Sequence, residues 1–148
     1  MDIKAKVSGR ISKPVHDVFE AVADPAKLSG YFTTGGAKGR LETGATVTWD
    51  FADFPGAFPV TVVEVAQDSR IVLRWGSPEG EGQENTVTMT FEGLEDGRTL
   101  VTIVETGWSD TQKGVDSAMS NTEGWAGMLA AMKVYLEHGI NLREGFYK

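Results

Sequence analysis

The chain has 148 residues, 41% of them apolar, and 14 basic against 21 acidic side chains for a net charge of -7. That length supports one core burying roughly 70% of the unfolded surface, so residues 1–148 are expected to form a single domain. The acidic excess is spread along the chain and argues against a nucleic-acid partner, while the lack of cysteine excludes disulfides, thiolate nucleophiles and zinc-thiolate sites.

Ile3, Ala5, Val7, Gly9 and Ile11 alternate with polar residues, which predicts a first strand with one buried face. Ser12 and Pro14 open a helix carrying Val15, Val18, Phe19 and Val22, and Asp24-Pro25 stops it. The same Asp-Pro pair suits the start of a second short helix through Leu28, Tyr31 and Phe32, followed by a glycine-rich loop from Thr33 to Gly39. From Arg40 to Trp108 the period becomes two, with turn signals at 42–44, 53–56, 67–69, 77–82 and 95–97. An antiparallel meander is expected. Val47, Trp49 and Phe51 share one face with Ile71, Leu73, Trp75, Val87, Met89 and Phe91, and Thr48, Asp50, Arg74, Thr88, Thr90 and Glu92 take the other. Strands at 58–66 and 99–106 are partly apolar on both faces, which leaves their register open. Residues 109–120 are polar and read as a loop.

The last long apolar run, Glu123 to Gly139, places Trp125, Met128, Leu129, Met132 and Leu136 at i, i+3, i+4, i+7 and i+11. Ser120 and Glu123 make a capping box, and Gly139 fits a left-handed C-terminal cap. Such a helix is roughly 27 Å long. Gly124 and Gly127 suit a close approach to a sheet or are simply tolerated in a core helix. The element order is strand, two short helices, about six strands and one long helix, so a curved sheet gripping the last helix would bury both apolar faces. No run of 18 apolar residues and no apolar leader occurs, so no membrane span is expected and the default address is cytoplasmic.

Ile11, Pro14, Val18, Phe19, Ala21 and Asp24-Pro25 near the start, with Gly124-Trp125 ahead of Leu129 and Leu136 near the end, make the chain resemble the START-like, or Bet v 1-like, helix-grip superfamily. Within it the chain is most similar to bacterial proteins like the C-terminal domain of the Hsp90 co-chaperone Aha1. The resemblance covers nearly the whole chain. It implies an α+β fold with a cavity between sheet and last helix that holds apolar small molecules or lipids, and its diffuse motifs specify fold far better than activity. The chain lacks the co-chaperone's separate N-terminal domain, which argues against an Hsp90-type partner.

Trp49, Trp75, Met89, Trp125, Met128 and Met132 are the expected lining of that cavity; singly each reads as core, together they point to an apolar pocket. Glu105 continues the parity of Val101 and Ile103. Facing in beside Trp108, it would orient a polar ligand group or act as general acid/base; facing out, it is a solvated acid. Tyr31 reads either as a gate at the pocket mouth or as a tyrosine at the core's edge. His16 and His138 have no partners at metal-ligand spacing, and no nucleophile, phosphate-loop or dinucleotide motif occurs, so neither metal nor cofactor is expected. The expected function is non-enzymatic binding of a hydrophobic or amphipathic small molecule. A cyclase or dehydratase in the same cavity and an Hsp90-type ATPase activator are the alternatives, and an exposed sheet edge would permit a homodimer.

Overall fold

The computed structural model describes residues 1–148. In chain order it contains β1 (Ala5–Ile11), α1 (Val15–Ala23), α2 (Pro25–Leu28), β2 (Gly36–Lys38), β3 (Thr46–Phe51), β4 (Phe54–Ala66), β5 (Arg70–Gly76), β6 (Glu84–Gly93), β7 (Thr99–Thr106) and α3 (Gln112–His138). The strands form one antiparallel sheet in the order β1-β7-β6-β5-β4-β3-β2, and α3 packs across it and against β1. This is the expected α+β helix-grip fold. No helix is long and apolar enough to cross a membrane.

Period two is obeyed where pairing is regular. Val87, Met89 and Phe91 on β6 are buried with Ile71 and Leu73 on β5, and Ile71 sits opposite Met89. In β7 the inward residues are Thr99, Val101, Ile103 and Glu105. In β4 the parity breaks. Val60 and Val62 point inward, but the pairing shifts between Val62 and Glu64, so Val63 is exposed and Val65 rejoins the inner face opposite Ile71. That bulge is why no single register fits residues 58–66.

Several boundaries differ from expectation. α3 starts at Gln112, so residues 112–120 are helical rather than a loop, and its 27 residues span roughly 40 Å. Its true N-cap is Thr111, whose side chain accepts from the Gly114 amide at 3.0 Å; Ser120 and Glu123 are exposed mid-helix residues, not a capping box. The first turns bury only Gly114 and Ala118. Small residues let the backbone lie close, so no large apolar stripe marks that half. Glu79, in the β5–β6 loop, ties this end down by accepting from the Ser109 amide at 2.9 Å, and its carbonyl accepts from Lys113 Nζ at 2.6 Å.

α1 has Pro14 as its N-cap with no side-chain capping bond, so Ser12 does not cap it. α2 ends at Leu28, leaving Tyr31 and Phe32 in the following turn, and the Thr33–Gly39 segment contains the short edge strand β2. The 53–56 turn is shorter than expected, because β4 already begins at Phe54. Gly124 and Gly127 do not meet the sheet. Gly124 has no heavy atom within 4 Å of an added Cβ, and Gly127 lies against the Tyr147 hydroxyl of the C-terminal tail. Gly139 does adopt the left-handed cap, with φ 69°.

Candidate functional site

The interior between sheet and helix is filled. Trp49, Met89, Met128 and Met132 are each at most 1% exposed and belong to one cluster of 29 buried residues. An enclosed cavity lined by these four is therefore absent; close packing has replaced it. Met128 also touches a minor hollow of about 80 Å³ beneath the C-terminal tail, as does Tyr31. Tyr31 is not a gate. It is fully buried, its hydroxyl donates to the Ala21 carbonyl at 3.0 Å, and burial, reinforced by Tyr135, raises its pKa well above the usual phenol value.

An open cleft of about 380 Å³, aromatic on its apolar side, lies at one end of the grip. Its apolar wall is six aromatic rings: Phe32 after α2, Phe51 at the end of β3, Phe54 and Trp75 on β4 and β5, Trp125 on α3, and Tyr147 in the tail. Its polar lining is Ser120, Asn121 and Glu123 on one turn of α3, with Arg143 from the tail. Gly124 opens the helix side, where a larger residue would protrude into the space.

Behind this wall stands Glu105, fully buried on the inner face of β7. Its Oε2 accepts from Trp75 Nε1 and Asn85 Nδ2, each at 2.9 Å, and its Oε1 accepts from Asn121 Nδ2 at 2.9 Å and Trp125 Nε1 at 2.8 Å. The Trp108 indole donates at 2.9 Å to the Glu105 carbonyl. A carboxylate has about four lone-pair positions, and all four are taken by neutral N–H donors. The group is therefore closed to solvent and has no lone pair left to accept from a molecule in the cleft. Its effect is positional. It fixes Trp75 and Trp125 as a stacked pair, ring centroids 5.3 Å apart and 28° between planes. Asn85 keeps one cost: its Oδ1 is buried without a partner, packed beside Gly107.

The tail is held across the cleft by charge. Arg143 Nε and Nη2 donate to the two Asp53 oxygens at 3.0 and 3.1 Å, with both side chains about nine-tenths buried. Its guanidinium carbon lies 4.6 Å from the Phe51 ring centroid, 5.3 Å from Tyr147 and 5.5 Å from Phe32.

Of the residues expected at the site, the structure brings Trp75 and Trp125 to the cleft, sets Glu105 and Trp108 directly behind it, and places Trp49, Met89 and Met132 in the core. Sequence reasoning missed Phe32, Phe51 and Phe54 as lining, and all of Asn85, Asn121, Arg143 and Tyr147. Of the aromatic residues only Phe51 was visible as a strand-face position; Phe32 was placed on the second short helix and Phe54 in a turn. No local signal pairs Arg143 with Asp53, 90 positions away.

Sheet, gripped helix and end-on cleft together define a helix-grip α+β protein with an aromatic recess rather than a sealed interior. The family model described as Activator of Hsp90 ATPase homolog 1-like protein matches residues 12–137, and the chain belongs to that family. Among solved structures, the chain is similar to a protein from Staphylococcus saprophyticus at 29% identity and TM-score 0.81, covering 95% of this chain and 96% of that one. It is similar also to DynU16 from the dynemicin biosynthetic locus, at 28% identity and TM-score 0.80, covering 94% of this chain but only 49% of that one. It shares its fold with the Aha1 dimer from Colwellia psychrerythraea, at 18% identity and TM-score 0.76, covering 93% of this chain and 98% of that one. No curated protein matches it.

Proposed function

We propose that the protein binds a hydrophobic or amphipathic small molecule in the open aromatic cleft. The observation that carries this reading is the cleft itself: about 380 Å³, walled by six aromatic side chains, with four polar or charged residues grouped on one helical turn and the tail. Ligand pockets typically run from about 300 to 1,000 Å³ and combine an apolar lining with a few placed polar groups. The rings are immobilised in advance by Glu105 and by their mutual contacts, so little ordering cost falls on binding. Trp75 and Trp125 are the anchors, and Asn121 and Glu123 are the groups that orient a polar head. The test is native mass spectrometry of the purified protein together with a fluorescence titration of hydrophobic probes, repeated on Trp75→Ala. Binding that weakens at least tenfold in a still-folded Trp75→Ala protein supports the reading. A parent protein that neither carries nor takes up any probe overturns it.

The family description favours a second reading, activation of an Hsp90-type ATPase through the protein's surface. It requires stimulated ATP turnover when the two proteins are mixed. A flat response at saturating concentration removes it.

A further inference from the structure

We propose that the ligand is an amphipathic cation, an organic ammonium or guanidinium carried on an apolar body. The inference rests on reading the cleft as a small-molecule site and adds the charge of what it takes. The apolar wall contains no aliphatic side chain at all; every one of its six members is an aromatic ring. A receptor for plain hydrocarbon has no need of that restriction, whereas ring faces carry a negative quadrupole and attract cations.

The two carboxylates nearby favour the same sign of guest. Glu123 stands at the rim and makes no ion pair. Glu105 lies behind the wall, and its four side-chain partners are neutral amides and indoles, so its negative charge has dipoles around it but no counter-cation. Two of those partners are the wall tryptophans. An indole whose N–H donates to an anion is polarised toward its ring, which strengthens the attraction of that ring for a positive group.

The chain's own cations already settle on this wall. Arg143 lies over Phe51, Phe32 and Tyr147, and Lys148 Nζ lies 4.5 Å from the Phe54 centroid. Arg143 does not make the cleft a receptor for anions, because Asp53 engages two of its nitrogens and offsets its charge. A carboxylate guest would lie against ring faces, with Glu123 at the rim and Glu105 behind the wall.

The test uses the full chain and three probes of like size: benzyltrimethylammonium, its uncharged isostere neopentylbenzene, and phenylacetate, each titrated by tryptophan fluorescence. The cation should bind about tenfold or more tightly than either of the others, a ratio that falls with added salt. In Glu123→Gln, an exposed substitution that leaves the fold intact, affinity for the cation should drop roughly two- to fivefold while that for neopentylbenzene holds. Equal or tighter binding of neopentylbenzene or phenylacetate overturns the cation and leaves the cleft as a small-molecule site. An unchanged cation affinity in Glu123→Gln, together with no preference over the neutral probe, has the same meaning. Failure of all three probes to bind overturns both this inference and the reading beneath it.

Discussion

Replacing Glu105 by Gln turns one of its two acceptor oxygens into an amide donor while keeping shape and size. In the parent, four N–H groups converge on two oxygens at 2.8 to 2.9 Å in a fully buried site. A glutamine can serve two of them with its single oxygen and must turn its amide hydrogens toward the other two. Each orphaned buried donor costs about 1–3 kcal/mol, and the two retained bonds weaken by about 1 kcal/mol each as their acceptor loses its charge. Relief from burying that charge offsets several kcal/mol of this. The balance still falls on the side of loss, because the donors are held by a β-strand, the long helix and the stacked indoles and cannot rotate away. The expected destabilisation is about 2–4 kcal/mol, or a fall in Tm of roughly 5–15 °C for a chain of this size. Urea denaturation followed by circular dichroism measures it, with an unchanged m-value showing that the same surface unfolds. A Gln variant within about 0.5 kcal/mol of the parent, or more stable, would refute the claim that the four donors organise this site.

Asp53→Asn should cost about 1–3 kcal/mol by leaving the largely buried Arg143 without its counter-charge, and should speed limited proteolysis between residues 139 and 148; an unchanged cleavage rate would show that the pair does not hold the tail. Gly127→Ala sets two effects against each other: the helix gains up to about 1 kcal/mol, but the new methyl displaces the Tyr147 hydroxyl. Global stability should hold or rise while hydrogen exchange in the tail accelerates. Gly124→Ala meets no neighbour and should stabilise by about 0.5–1 kcal/mol, yet narrow the cleft and weaken probe binding. The His16 Nδ1–H donates to Asp68 Oδ1 at 2.9 Å, and that hydrogen bond, with the negative charge of Asp68, raises the imidazole pKa above its ordinary value. The contribution of this pair is therefore fully present below the unfolded-state pKa and is lost as pH rises through the folded one. An NMR titration of His16 that gives the same pKa in Asp68→Asn would contradict it.

The fold was legible because its main elements follow simple periods. β1, β3 and β6 alternate cleanly, β5 does so apart from the buried Val72, and the second half of α3 carries a full apolar stripe from Trp125 to Leu136. What was hidden has physical causes. The extra residue in β4 reverses its parity at Val63, so any fixed alternation must fail on one side of it. The first ten residues of α3 bury only small side chains, and a polar helix with one narrow contact face reads locally like a loop. Parity suggested that Glu105 could face inward, but not that it would be saturated there, because Asn85 and Asn121 stand 20 and 16 positions away on other elements. The recess was misplaced for a similar reason. Trp49, Met89, Met128 and Met132 have the same composition as a ligand pocket, and only three-dimensional packing shows that they fill one another's space.

The paired indoles also give the molecule an optical property of its own. Two such chromophores locked nearly parallel at 5.3 Å couple their electronic transitions, so the far-ultraviolet spectrum should contain an exciton couplet superposed on the backbone bands. Anything that slides or splays the two planes, whether a guest, a mutation or heat, will change the sign pattern or size of that couplet, and the protein will report on its own recess without any attached label.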